Sequence, residues 1–431
     1  MTQSSIDSPV VPSLFPDSFA AWRDSLAASD TLPVIAVAGS RGKTTVACLL
    51  REIFVEAGLR GASWTDAGVE VDGRRQRGEL VPWSRTLDRL GSGDLDVAVQ
   101  ELDWITIGAV GLPKHAYPII AITNICGNSD SCLLQADTQR SINALGAVGD
   151  AVLPSGALVL NGDDLSVAAD ERLITARRVL VGLSRDAPLL RQHLARGGTA
   201  AWVGDDGLAI GHGGTNRART LCAAEEVALS LHGVVGFELH NALTAATAAL
   251  ACGIRVPAIA AVLRRFTAPA RAMPGSFNVV PIGGAIAIVD RPAPSWYLRS
   301  VLRAVAHLPH RRLLAVVGRL DAVPAADLTE VGRLVGRAGG ALILHGEAAA
   351  PARAAAFRQG IALNSVPPVM IHLDTERRAI DRALKMVRPD DLLLVLADQP
   401  ASVLRTLDRA HLATQNVQTE SPSEGDARPA A

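Results

Sequence analysis

The chain has 431 residues, of which 48% are hydrophobic and 20% charged, and its formal net charge is −1 at pH 7. This balance excludes a general electrostatic attraction to nucleic acid or to anionic membranes. No apolar run reaches the roughly 18–20 residues that a bilayer span requires, and the polar start, MTQSSIDSP, is not typical of a signal peptide. The length favours two or three domains. Because the five cysteines are scattered, without disulfide or zinc spacing, we expect a cytoplasmic protein.

The segment at the start of the chain, residues 1–32, is an N-terminal extension too short for a domain. Residues 33–266 then alternate apolar strand patterns with helical patterns, which predicts a mostly parallel sheet covered on both faces. Within this range, residues 201–236 instead favour short antiparallel strands with glycine turns.

A second, smaller α/β domain is predicted for residues 267–413. It begins with a linker rich in proline, alanine and glycine, TAPARAMPGS, after which the strand–helix alternation resumes. Residues 414–431 have no apolar periodicity and are expected to be a disordered tail.

The most informative segment is VIAVAGSRGKTT, residues 34–45, where an apolar strand pattern leads through glycines into a helical pattern. This order predicts a triphosphate-binding loop, because backbone N–H groups and a helix N-terminus attract phosphate oxygens. In such a loop the lysine neutralises the β- and γ-phosphates and the following hydroxyl binds Mg²⁺. The predicted nucleotide-binding residues are Gly39, Ser40, Arg41, Gly42, Lys43, Thr44 and Thr45.

Polar residues follow several of the predicted strands. Glu101 ends a strand pattern, where it is either a Mg²⁺ ligand beside Thr44 or a solvated strand-end carboxylate. The segments Thr123-Asn124-Ile125 and Asn161-Gly162-Asp163-Asp164 close two further strands, and taken singly they are ordinary turn formers.

Two more polar residues have both a functional and a local interpretation. Asn241 precedes an alanine-rich pattern, where it could be only a helix N-cap. Asp290 closes a strand at the start of the second domain, where it could hold a ribose hydroxyl or begin a turn.

Taken together and in order, these segments resemble the Mur ligase family, which includes the amide ligases of peptidoglycan synthesis and folylpolyglutamate synthetase. The closest resemblance is to the C-terminal half of cyanophycin synthetase. The matching segments are GSRGKTT at 39–45, TDAG at 65–68, TNI at 123–125, VLNGDD at 159–164, NALTAATAA at 241–249 and PGSFNVV at 274–280. The resemblance implies a phosphate-loop ATPase domain followed by a Rossmann-like domain.

The resemblance also implies a chemistry. Family members use ATP to phosphorylate a carboxylate, and an amine then attacks the acyl phosphate to form an amide. By analogy Lys43 and Glu101 would be catalytic, with Lys43 on the phosphates and Glu101 binding Mg²⁺ together with Thr44. Asn241 would contact adenine and Asp290 the ribose. The implied supporting residues on the neighbouring strand are Asn161 and Asp164.

The chain departs from the family pattern at several catalytic positions. The residues that stand where the family has a histidine, a lysine, an arginine and a second histidine are Ser129, Leu145, Ser276 and Ala293, and Asp398-Gln399 replaces a late Gly-Lys. Losing one positioned cation or donor near a phosphoryl group typically costs on the order of 10²–10³-fold in rate. The candidate substitutes are Arg41, Arg271 and Arg291, each close in sequence to a missing group.

Two functions therefore stay open. The first is an ATP-dependent amide ligase acting on a small-molecule or peptide carboxylate, such as an amino acid or acidic peptide, and an amine donor. The second is a catalytically silent nucleotide-binding paralogue that is the partner or regulator of an active ligase. Neither predicts a nucleic-acid or membrane partner, and both allow a homo-oligomer.

Overall fold

The computed structural model describes residues 32–125, 135–173, 176–213, 218–270, 272–338 and 340–419. The N-terminal extension up to residue 31, Ser129 and Arg271 lie outside these described residues. The chain divides into two compact units, residues 1–267 and residues 268–431.

The first unit is built on one sheet of eleven strands. The strands are β1 (Val34–Ala38), β2 (Gly61–Thr65), β3 (Gly68–Val71), β4 (Arg74–Arg75), β5 (Val97–Leu102), β6 (Tyr117–Ile122), β7 (Val152–Asn161), β8 (Arg177–Gly182), β9 (Thr199–Gly204), β10 (Gly207–His212) and β11 (Ala218–Cys222). The helices are α1 (Lys43–Glu56), α2 (Leu80–Gly91), α3 (Trp104–Val110), α4 (Gln135–Ala151), α5 (Leu165–Ala168), α6 (Pro188–Ala195), α7 (Gly236–Ala251) and α8 (Val256–Arg265).

The strands lie in the order β11-β10-β9-β8-β7-β6-β1-β5-β2-β3-β4. The run from β9 to β2 is parallel, while antiparallel strands extend both edges. Every residue of β1 is buried, as expected for an apolar strand covered on both faces. This arrangement confirms the predicted mostly parallel sheet, and it brings the ends of β1, β5, β6 and β7 to one edge. The antiparallel strands predicted for residues 201–236 extend only to Cys222, because 3-10 turns at Ala224–Glu226 and Ala228–Ser230 follow.

The second unit has a six-stranded sheet in the order β12-β13-β17-β14-β15-β16. Its strands are β12 (Asn278–Ile282), β13 (Ala285–Asp290), β14 (Arg312–Val317), β15 (Ala341–His345), β16 (Val369–Leu373) and β17 (Asp391–Leu396). Its helices are α9 (Ser295–His307), α10 (Leu328–Arg337), α11 (Pro351–Ala362), α12 (Glu376–Met386) and α13 (Pro400–Thr419).

Only β12 of the second sheet pairs in the antiparallel sense, so a smaller, mostly parallel α/β domain follows the first, as predicted. The predicted start of a disordered tail at residue 414 is wrong, because α13 continues to Thr419. Residues 420–431 lie outside the described part of the chain. Among the helices of the described residues, none has the length and apolar character needed to cross a bilayer.

Candidate nucleotide-binding site

The predicted phosphate loop joins the end of β1 to the start of α1. Gly42 is the N-cap residue of α1 and has φ 82°, a left-handed conformation that favours glycine. No side chain caps this helix end, and its first turn contains no acidic residue. The N-terminal positive potential of α1 is therefore available to an anion.

Both glycines of the loop are in close contact with neighbouring polar side chains. A β-carbon at Gly39 would overlap Oγ1 of Thr123, and one at Gly42 would overlap Oδ1 of Asn241. Asn241 is not a helix N-cap, because α7 begins at Gly236 and Asn241 lies in its second turn. There Nδ2 of Asn241 donates a hydrogen bond to Glu238, 2.9 Å away, which directs the amide oxygen toward the loop.

The carboxylate of Glu101 lies beside the first two residues of α1. The register of β5 against β1 sets Glu101 opposite Val37, near the end of β1 and therefore close to the loop that leads into α1. Oγ1 of Thr44 donates to Oε2 of Glu101 at 2.9 Å, and Nζ of Lys43 lies 3.3 Å from Oε1. The side chain of Glu101 is only 4% exposed, so the alternative of a solvated strand-end carboxylate is excluded.

Burial is the largest influence on Glu101 and raises its pKa, as does the nearby charge of Asp66. The charge of Lys43 and hydrogen bonds from Thr44 and the Asp66 backbone N–H oppose that rise without cancelling it. A buried carboxylate of this kind gains from an added cation, which favours the ionised form. A hydroxyl and a carboxylate are oxygen ligands of the kind Mg²⁺ takes, so Thr44 and Glu101 fit that ion.

The segment that follows β6 holds the backbone of the loop in place. Asn124 bonds both sides of Arg41: its Oδ1 accepts from the Arg41 N–H at 3.1 Å, and its Nδ2 donates to the Arg41 carbonyl at 3.0 Å. Oγ1 of Thr123 donates to the same carbonyl at 2.6 Å. The carbonyl of Asn124 also accepts from the Ser40 N–H at 2.9 Å. Thr123 and Asn124 are therefore more than ordinary turn formers, because both side chains hydrogen-bond to the loop.

Residues at the end of β7 support that segment in turn. Nδ2 of Asn161 donates to the Thr123 carbonyl at 2.6 Å. Oδ2 of Asp164, a buried carboxylate, accepts from the Ile125 N–H at 2.8 Å. The loop is thus held by contacts that originate two strands away.

Comparison with known proteins agrees with this architecture. The chain matches no family-wide sequence profile. It is 26% identical over 403 residues to the cyanophycin synthetase of Trichormus variabilis, a match that covers 92% of this chain and 44% of that protein. It is 25% identical over 301 residues to the UDP-N-acetylmuramoyl-L-alanyl-D-glutamate–2,6-diaminopimelate ligase of Bacillus licheniformis, covering 67% of this chain and 57% of that protein.

The solved structures that resemble this fold carry related names. The bifunctional folylpolyglutamate synthase/dihydrofolate synthase of Yersinia pestis superposes with a TM-score of 0.60 at 17% identity, covering 91% of this chain and 98% of that chain. A pseudomurein peptide ligase from Methanothermus fervidus superposes with a TM-score of 0.58 at 18% identity, covering 90% and 80%.

The chain is similar in sequence to cyanophycin synthetases and to Mur ligases, and similar to Mur ligases in fold. Its relatives in sequence and fold are named as synthetases, ligases and synthases. The chain spans less than half the length of the cyanophycin synthetases it matches.

In the second unit, Asp290 closes β13 and is 2% exposed. Its Oδ1 accepts from the Arg291 N–H at 2.8 Å, and the same N–H lies 3.2 Å from the Gly275 carbonyl. Cγ of Arg291 lies where a β-carbon at Gly275 would be too close, at 2.7 Å. Arg291 therefore packs directly against the turn that contains Ser276, one of the replaced positions.

The other replaced positions differ in their surroundings. Leu145, where a lysine was expected, is fully buried on α4, and Ala293 is 2% exposed. Neither site offers a cation or a hydrogen-bond donor. Leu145 is an apolar residue on the buried face of a helix, which is the usual pattern of a hydrophobic core.

Proposed function

We propose that the chain is an ATP-dependent ligase that joins an amino group to a carboxylate through an acyl phosphate. The observation that carries the proposal is the convergence of Lys43, Thr44 and Glu101 at the uncapped N-terminus of α1. Residues 33–266 would form its ATP-binding domain and residues 267–413 its ligase domain. ATP and Mg²⁺ are plentiful in the cytoplasm, where we propose that it acts.

Each site residue has a role in this proposal. Lys43 pairs with the β- and γ-phosphate oxygens, and Thr44 and Glu101 are the ligands for Mg²⁺. Bound there, Mg²⁺ would neutralise the charge that develops on the transferred phosphoryl group. Asn241 is the proposed contact for adenine and Asp290 for the ribose.

The substrate proposed for the carboxylate position is an amino acid or an acidic peptide. Support comes from the relatives, whose names include cyanophycin synthetases and ligases that join amino acids to peptide precursors. Arg291 is the proposed substitute for the family's phosphate-contacting arginine, because it packs on the turn beside Ser276.

One observation favours a second candidate, a silent nucleotide-binding paralogue that acts as partner or regulator of an active ligase. Leu145 is fully buried where the family pattern has a lysine, so no side chain there can assist a second cation. In this alternative the loop binds ATP, but no carboxylate is phosphorylated.

A turnover assay separates the two candidates. The purified chain is incubated with ATP, Mg²⁺ and pools of amino acids or acidic peptides, and ADP and phosphate are measured. The matched variants are Lys43→Ala and Lys114→Ala, the latter having a side chain that is 75% exposed. Carboxylate-dependent ADP release that Lys43→Ala abolishes and Lys114→Ala retains supports the ligase. Tight ATP binding without turnover on any pool supports the silent paralogue, and absence of ATP binding contradicts both.

A further inference from the structure

We propose that the second unit contains a binding site for a divalent transition metal, formed by His345, Glu376 and Asp398. His345 ends β15, Glu376 begins α12 and Asp398 follows β17. All three therefore lie at the carboxyl edge of the sheet, where open α/β folds bind ligands. The site is independent of the proposed ligase activity.

The three side chains lie close together. One ligand atom from each residue lies within 4.8 Å of the others. Nε2 of His345 is 3.9 Å from Oε1 of Glu376, and Nδ1 is 3.9 Å from Oδ2 of Asp398. Both separations exceed a hydrogen bond. The imidazole ring thus lies between two carboxylates without bonding to either.

The second observation is the burial of His345. The residue is 2% exposed, and its buried Nε2 has no hydrogen-bond partner among the described residues. Leaving a buried polar atom unpaired costs about 1–3 kcal/mol, so such atoms usually have a ligand or a partner. Here the unpaired Nε2 faces the Glu376 carboxylate, so a cation bound by both groups would give this nitrogen a partner.

The carboxylates are held in place by the surrounding backbone. Glu376 accepts from the Asp398 N–H at 2.7 Å and from the Gln399 N–H at 3.1 Å. The Arg319 N–H lies 3.3 Å from Oδ2 of Asp398. A β-carbon at Gly318 would overlap the Asp398 carboxylate, so this glycine leaves the space that the carboxylate fills.

The donor set determines the class of cation. One imidazole with two carboxylates suits Zn²⁺ and similar ions better than Mg²⁺, which prefers oxygen ligands and keeps its waters. Three protein ligands would leave a fourth position open. Ligands of one zinc ion, at bonds of about 2.0–2.2 Å, lie roughly 3.4 Å apart, so the three groups would close slightly on binding.

The two carboxylates attract a cation, and the positive charge of Arg319 offsets part of that attraction. The Arg319 guanidinium lies 3.6 Å from Asp398 and 3.1 Å from Asp321. Because Asp321 provides a second partner, Arg319 can remain paired when Asp398 binds a metal. The competing arrangement is a metal-free His345 imidazole that lies between the two carboxylates.

In the test, the untagged full chain is first freed of metal with a chelator. It is then titrated with Zn²⁺ in the presence of excess Mg²⁺, and calorimetry measures the binding. We expect one zinc ion per chain, with the affinity reduced at least about tenfold in His345→Gln, because even the loss of an outer-shell partner of a ligand typically costs about 10–100-fold. His372→Gln is the matched control, because His372 is an exposed histidine on β16 that pairs with Glu347 outside the site. Its affinity for zinc should be unchanged.

Two results would overturn the proposal. One is the absence of stoichiometric zinc binding by the wild-type chain, which would favour the metal-free arrangement. The other is equal zinc affinity in His345→Gln and His372→Gln, which would place bound zinc elsewhere. If His345→Gln fails to fold, as judged by circular dichroism, Asp398→Asn provides the same comparison.

Discussion

Oδ1 of Asn241 occupies the space that a β-carbon at Gly42 would need, and the amide is held there by its hydrogen bond to Glu238. Helix α7 therefore limits which residue can begin α1. The requirement for glycine is both steric and conformational, since Gly42 also has φ 82°.

The first prediction tests the steric requirement at Gly42. We expect Gly42→Ala to weaken ATP binding at least about tenfold, because the loop must shift away from Asn241, and one factor of ten corresponds to about 1.4 kcal/mol. Gly58→Ala is the control: Gly58 has φ 85° but nothing lies within 4 Å of an added β-carbon. Binding of a non-hydrolysable ATP analogue is measured by calorimetry. Equal losses in both variants would show that contact with Asn241 is unimportant.

The second prediction concerns the proposed Mg²⁺ ligand. Glu101→Gln keeps the shape of the side chain and its bond from Thr44 but removes the charge that attracts a cation. We expect the increase in ATP affinity caused by Mg²⁺ to be largely lost, and any turnover to fall on the order of 10²–10³-fold. Glu79→Gln, at an exposed glutamate, should leave both unchanged. A full Mg²⁺ effect in Glu101→Gln would contradict the assignment.

The third prediction tests the support of the loop. Asn124→Ala removes both side-chain hydrogen bonds to Arg41, so the Arg41 N–H loses its acceptor while the Arg41 carbonyl keeps the bond from Thr123. We expect the free energy of unfolding to fall by about 1–3 kcal/mol, with weaker ATP binding. Urea unfolding and calorimetry provide the two measurements. Loss of stability with unchanged ATP affinity would show that Asn124 supports the fold but not the loop.

The fourth prediction is a pH dependence in the second unit. Burial raises the pKa of Asp391, but hydrogen bonds from Arg312 and the Arg388 N–H, together with their charges, outweigh it, so the pKa is lowered. Because the folded pKa lies below the unfolded value, the ion pair stabilises the fold above about pH 3.9. That contribution is lost as the pH falls through the folded pKa.

We therefore expect Asp391→Asn to lower the free energy of unfolding at pH 7 by about 1–3 kcal/mol. This range is modest because the Arg312 side chain is 35% exposed and partly screened. The difference from wild type should shrink in strongly acidic solution. Asp408→Asn, at an exposed aspartate on α13, is the control. A difference that grows on acidification would contradict the direction of the shift.

Local pattern was enough to predict the strand, loop and helix around Lys43, because apolar runs, glycines and the Lys-Thr pair are adjacent in sequence. The position of Glu101 could be proposed but not decided, since its burial depends on the register between β1 and β5. Asn241 could not be placed correctly, because nothing in the sequence marked the start of α7 at Gly236.

The His345 cluster had no sequence signal at all. Its members are separated by more than twenty residues from one another and meet only through crossovers between strands. Asp398 drew attention only as a departure from the family pattern. The positions of these residues depend on the long-range topology of the sheet, which local secondary-structure propensity does not reveal.

The hydrogen bonds that run from Asn161 through Thr123 to Arg41 have a consequence for how the site comes into being. The loop owes its shape to strands that lie about 80 and 120 residues further along the chain. A fragment that carries the motif alone would lack those partners. On the proposed function, nucleotide affinity would therefore be acquired only when β1, β6 and β7 have assembled, and bound ATP would in return stabilise that assembly by mass action.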